Sequence, residues 1–79
     1  MINYKKTGQV DAFAIGENIR NLLIQRGDTQ EQLAEAIEVD PTSVSAWMHG
    51  RNQPRVDTLW HISKALNVSV DSLLEGYIA

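Results

Sequence analysis

Between Thr29 and Gly50 the chain carries two complete sets of helix punctuation back to back, and no other feature constrains its fold as much. Thr29-Gln30-Glu31-Gln32 has the form of a capping box. The Thr29 side chain accepts from the amide three residues on, and Gln32 reaches back to the Thr29 amide. Asp40-Pro41 then opens a second helix. Asp is a strong N-cap, and Pro suits the first helical position, where no amide hydrogen is needed. Val39 and Val44 stand at the two positions of a hydrophobic staple. Leu33, Ala34 and Ile37 face inward from the first helix, which ends near Ile37 or Glu38. Val44, Trp47 and Met48, at i, i+3, i+4, share the buried face of the second. Its opposite face shows Thr42, Ser45, Ala46 and His49, and Gly50 closes it.

The flanks read as three more helices. Ile15, Ile19, Leu22 and Leu23 form an apolar stripe on a helix expected to start near Asp11, its cap, and to end at Arg26 before Gly27. After a polar loop, Arg51-Asn52-Gln53-Pro54-Arg55, a fourth helix runs from Val56 or Asp57 to Leu66 and turns Leu59, Ile62 and Leu66 inward. Ser69 caps a last short helix, stapled by Val68 and Leu73 and ended by Gly76. No strand-like alternation of useful length appears. The expectation is one all-α domain of five helices over residues 11–76, with a tail or arm at 1–10 and a tail at 77–79.

Composition removes several function classes. There is no Cys, so there is no disulfide, thiol chemistry or Cys-based zinc site, as suits a reducing cytoplasm. His49 and His61 are not spaced as a ligand pair, and no metal or other cofactor is expected. No apolar run approaches the roughly 20 residues of a membrane span, and Met1–Val10 lacks the apolar stretch of a signal peptide. A cytoplasmic protein away from the membrane is therefore expected. No nucleophile–base pair, carboxylate cluster or glycine-rich phosphate loop stands at a meaningful spacing, so neither an enzyme nor a small-molecule substrate is expected. The net charge of −3 and pI near 5.1 run against nucleic-acid binding, which draws most of its affinity from phosphate contact.

From Ile15 to Gly76 the chain resembles the Cro/phage-repressor (XRE-like) helix-turn-helix family. The resemblance rests on Ile15-Gly16-Glu17-Asn18-Ile19-Arg20, Thr29-Gln30-Glu31-Gln32-Leu33-Ala34, Val39, Val44-Ser45-Ala46-Trp47, Gly50-Arg51, Pro54, Thr58-Leu59, Ile62, Ala65-Leu66-Asn67-Val68 and Leu73-Leu74. No one of these is specific; their order and spacing are. The resemblance implies a lambda-repressor-like domain whose motif spans about 29–49, locked by Leu33, Ala34, Ile37, Val39, Val44 and Trp47. It implies a transcriptional regulator, a repressor, with double-stranded DNA as partner. By position, Thr42, Ser45 and Ala46 would read bases. Gln30, Ser43, Arg51 and Arg55 would hold phosphates, and His49, Asn52 and Gln53 would add loop contacts. It further implies a homodimer on DNA, joined near the last two helices, where Val56, Trp60, Val70, Tyr77 and Ile78 are the apolar candidates.

Two departures from the family pattern stand out. Glu38 occupies a turn position where Gly is usual and a left-handed backbone is needed. Leu23 and Met48 replace an Arg–Glu pair, so an ionic contact gives way to an apolar one, and the two side chains are expected to touch. The bland readings also stand: Thr42 and Ser43 suit the first turn of any helix, and Arg51 and Arg55 suit any solvated loop. Trp60, off the stripe of its helix, reads as a flank or as a contact with another chain. The competing function is a helix-turn-helix module that binds a protein, such as a toxin or another regulator, with weak or no DNA binding.

Overall fold

The computed structural model describes residues 10–78. Over them the chain forms five helices: α1 (Ala14–Arg26), α2 (Gln30–Ala36), α3 (Pro41–Met48), α4 (Val56–Leu66) and α5 (Val70–Leu73). Among the described residues the one β feature is an antiparallel bridge between Val10 and Ile78. The arm expected at 1–10 lies outside the described residues except for Val10.

Helix starts follow the local signals with one exception. The Thr29 hydroxyl accepts from the Gln32 amide at 3.1 Å, and the Thr29 amide donates to Gln32 Oε1 at 2.8 Å, which completes the capping box. Asp40 caps α3 with Pro41 at its first turn, and Ser69 caps α5. The exception is α1, which starts behind Phe13 without a side-chain cap, not at Asp11. The Asp11 carboxylate instead accepts the Phe13 amide in a local turn, and the Asp11 amide donates to the Tyr77 carbonyl at 2.7 Å. Both bonds hold Asp11 out of the helix.

The same pairing gives two residues of the expected tail, Tyr77 and Ile78, a fixed place, while Ala79 lies outside the described residues. Tyr77 is half-buried and packs against the core, and Ile78 bridges to Val10. One bridged pair is too short to leave a period in the sequence, so nothing there announced it. Asn18 of α1 adds a second tie: its Nδ2 donates, at 2.8 Å each, to the carbonyl of Leu73, left open at the end of α5, and to that of Glu75 just past it.

The core gathers one stripe from every helix. Ile19, Val44, Ile62 and Leu73 are its fully enclosed side chains, with Ile15, Leu23, Leu33, Ala34, Trp47, Leu59 and Leu66 around them. Leu23 is buried and Met48 packs against the same cluster, so neither points to water in place of the missing ion pair. Glu38 takes φ +58°, as the position requires. A residue with a Cβ is strained there, by about 1 kcal/mol. Ser63, the buried polar residue of the core, is satisfied by donating to the Trp60 carbonyl at 2.6 Å.

Candidate nucleic-acid interface

α3 stands on the surface with a dry side and a wet side. Val44 and Trp47 are buried, Met48 is half-buried, and the opposite flank is open at Thr42 and His49. Ser45 and Ala46, half-buried, lie beside them. At 100° per residue, Thr42, Ser45, Ala46 and His49 fall within one arc, so the predicted readers share one face.

Both ends of α3 are held, by different means. At its start the Asp40 carboxylate accepts the Thr42 amide at 2.9 Å and the Thr42 hydroxyl at 2.8 Å. These bonds, the amide's first, hold the Asp40 carboxyl below its ordinary pKa of 3.8. At its end, α1 crosses very closely. A Cβ on Gly16 would lie 2.9 Å from Met48 Cα and closer still to the Trp47 carbonyl oxygen. One turn on, Arg20 donates to the Met48 carbonyl at 3.1 Å. Gly50, at φ +69°, lies under the Phe13 ring, and Gln53 Nε2 donates to the Ala12 carbonyl at 2.6 Å. The chain just before α1 therefore braces the loop that leaves α3.

The predicted contact residues sort accordingly. Ser43, Asn52, Gln53 and Arg55 line one concavity beside α3, together with Val39 and Trp47. Gln53 turns its amide nitrogen to Ala12, and its Oε1 is buried without a partner, so this side chain is chiefly a brace. Arg51 and Arg55 are exposed. Arg55 approaches Asp57 at a loose 3.7 Å, and at 87 % side-chain exposure that contact leaves its head in water. Gln30 opens α2 and is half-buried. The other described cations serve elsewhere. Arg26 bonds Asp28 and the Leu66 carbonyl, and the Lys64 ammonium sits 5.3 Å from the centre of the Trp60 ring.

Sequence reasoning missed the roles of Gly16 and Arg20. A glycine inside a helical stripe sacrifices about 1 kcal/mol of helix propensity, and that is the signal of a close approach. No helix among the described residues is long and apolar enough to cross a membrane.

Known proteins share this arrangement. The family model described as "Helix-turn-helix" matches residues 19–73. The chain is 40% identical over 60 residues to the HTH-type transcriptional activator BcrR of Enterococcus faecalis, across 76% of this chain and 29% of that protein. It is 37% identical over 62 residues to the HTH-type transcriptional regulator DicA of Escherichia coli (strain K12), across 78% of this chain and 46% of that one. It thus spans less than half the length of either relative. The solved structure of the clp gene regulator ClgR from C. glutamicum superposes with a TM-score of 0.74 at 31% identity, covering 81% of this chain and 83% of that one. With the family model on more than half of the chain, the chain belongs to the XRE-type helix-turn-helix family of DNA-binding transcription regulators.

Proposed function

We propose that this domain binds specific double-stranded DNA as a homodimer and represses transcription by covering its operator in the cytoplasm. The observation that carries the reading is the outward face of α3, open at Thr42 and His49 and flanked past its end by the exposed Arg51 and Arg55. A surface helix with one open face of this kind suits the major groove, about 12 Å wide. Thr42, Ser45 and Ala46 are the proposed base readers, with Gln30, Ser43, Arg51 and Arg55 on phosphates and His49 and Asn52 beside them. The proposed partner is DNA and a second copy of the chain, with no small molecule and no catalysis.

The dimer is supported by α4, where Val56 is 83% exposed and Trp60, one turn on, is 53% exposed. Exposed apolar side chains stacked on one helix face are what a second copy would cover. One short helix on an acidic body gains little from the phosphate field, and two linked half-sites raise the effective concentration. The two groove helices would then stand about 34–36 Å apart, one turn of duplex.

The net charge of −3 favours a second reading, a module that binds a protein partner. Titrating the chain against a palindromic duplex and against its isolated half-site, at several salt concentrations, separates the two. Cooperative binding to the palindrome is expected, and replacing Arg51 or Arg55 by Ala should reduce the salt slope by about one. Binding that ignores duplex sequence, salt and both arginines would leave the protein-partner reading.

A further inference from the structure

The polar groups along the outward face of α3 do not have free choice of hydrogen-bond role. The Thr42 hydroxyl hydrogen is engaged by the Asp40 carboxylate at 2.8 Å, so Oγ1 has only lone pairs left to offer. Asp40, exposed and kept ionised by the Thr42 amide and hydroxyl, can only accept. His49 Nδ1 lies 2.8 Å from the Ser45 carbonyl oxygen, an atom that cannot donate. The neutral ring therefore carries its hydrogen on Nδ1, and Nε2 is left as an acceptor. Ser45 Oγ stands at a loose 3.4 Å from the same Nδ1, and its hydroxyl stays adaptable. Ala46 adds a methyl group. No Arg, Lys, Asn or Gln lies between Asp40 and His49.

In the major groove the only base donors are the exocyclic amino groups, N6 of adenine and N4 of cytosine. Guanine shows two acceptors there, which an acceptor on the protein cannot engage. We propose that His49 is a base-reading residue whose Nε2 accepts from the exocyclic amino group of adenine or cytosine. Asp40 and Thr42 extend the same selection toward the start of α3. This rests on the DNA-binding reading above and names the base edge that the face selects. His49 falls between Thr42 and Ser45 around the helix, near the centre of the exposed arc, so it is the acceptor best placed to meet a base. Ala46, on the other side of Thr42, suits a thymine methyl.

The test starts from duplexes enriched by the wild-type chain out of a random pool at low salt. In the enriched duplex, each adenine is replaced by purine, which lacks the N6 amino group, and each cytosine by its 4-deamino analogue. In parallel, each guanine and adenine is replaced by its 7-deaza form, which lacks the N7 acceptor. Removing one amino group per half-site should weaken binding about tenfold, while the 7-deaza replacements change it less than twofold. His49→Ala should be insensitive to the amino deletion at one position and keep its affinity for non-specific duplex. Because His49 is exposed, loss of its bond to the Ser45 carbonyl should lower the variant's thermal melt only slightly, which separates reading from folding. Dependence on guanine N7, or an amino-group dependence that His49→Ala leaves intact, would overturn the proposal. If the wild-type chain enriches no sequence at all, the DNA-binding reading itself fails first, and the two failures are thereby distinguished.

Discussion

The two ends of α3 are secured in opposite ways. Its start is held by neighbours in the chain: Asp40 on the Thr42 amide, Pro41 in the first turn, and Glu38 in a left-handed turn two residues earlier. Its end is closed locally at Gly50, but its position is held from far away in sequence, by Gly16 and Arg20 of α1 and through Ala12 and Phe13 just before it. A short helix is marginal alone, so its orientation depends on what it packs against. The local signals decide where α3 begins, whereas the distant contacts decide the angle at which it stands.

The largest effect is expected where the distant contact is tightest. Gly16→Ala places a Cβ against the Trp47 carbonyl and Met48 Cα, both backbone atoms that cannot swing aside. The two helices must separate, at a cost of roughly 3 kcal/mol, the upper end for overpacking. A denaturant midpoint unchanged by Gly16→Ala would break the comparison, since the end of α3 would then not depend on close approach. DNA binding should fall along with stability, because the tilt of α3 changes.

Arg20→Ala is the milder test of the same end. It removes a charged donor from the Met48 carbonyl, one of the carbonyls that α3 leaves open. Hydrogen bonds to charged groups contribute about 1.5–3 kcal/mol when sheltered, and at this exposed site about 1 kcal/mol is expected. Arg20→Met, which keeps an unbranched stem but has no donor, should recover little of the loss if the bond is what matters, and most of it if the stem packs instead. Urea unfolding of the three proteins side by side decides this.

The contrast also explains what was legible in the sequence. The capping box at Thr29, the Asp40-Pro41 start and the stripes of α1 and α4 all act within a turn or two, so residue types alone expose them. The shared outward face of Thr42, Ser45 and His49 follows from spacing, and so was readable before any coordinates. Gln53 was not. Its residue type suits a groove contact, and only the fold shows its amide turned to Ala12, 41 residues away. Asp11 misled for the same reason. As a cap it looks local, but a bond to Tyr77 from the far end of the chain outweighs the helix. Both of these misses are long-range hydrogen bonds made by polar residues with a plausible local role, whereas the missed role of Gly16 is a close backbone approach from another helix.

At the start of α3, Glu38 invites a change in the stabilising direction. Its φ of +58° suits glycine, and no hydrogen bond or ion pair of its side chain is seen among the described residues. Glu38→Gly should relieve the strain but add freedom to the unfolded chain, for a net gain of roughly 0.5 kcal/mol. Asn67, left-handed at φ +56° after α4, is the internal control: Asn tolerates that region, so Asn67→Gly should change the melting temperature less. A loss of stability in Glu38→Gly would mean that the carboxylate has a role at the turn.

The smallest effect concerns acid. Asp40 has a folded pKa below its ordinary 3.8, because the Thr42 amide and hydroxyl both favour the ionised form. A lowered folded pKa means that the stabilisation is fully present above the unfolded value and is lost as pH falls through the folded one. The bonds at the other end, from Arg20 to Met48 and from Gln53 to Ala12, involve no carboxylate. Acid should therefore loosen the start of α3 before its end. In amide exchange followed residue by residue as pH is lowered from 5 to 2.5, and corrected for intrinsic rates, protection at Thr42 should fall ahead of that at His49 and Gly50. Asp40→Asn keeps a good N-cap but cannot titrate, so in that variant the early loss at Thr42 should vanish. Protection that declines together at both ends, or a variant that keeps the early loss, would show that the acid response belongs to the whole fold and that the two ends of α3 are not independently held.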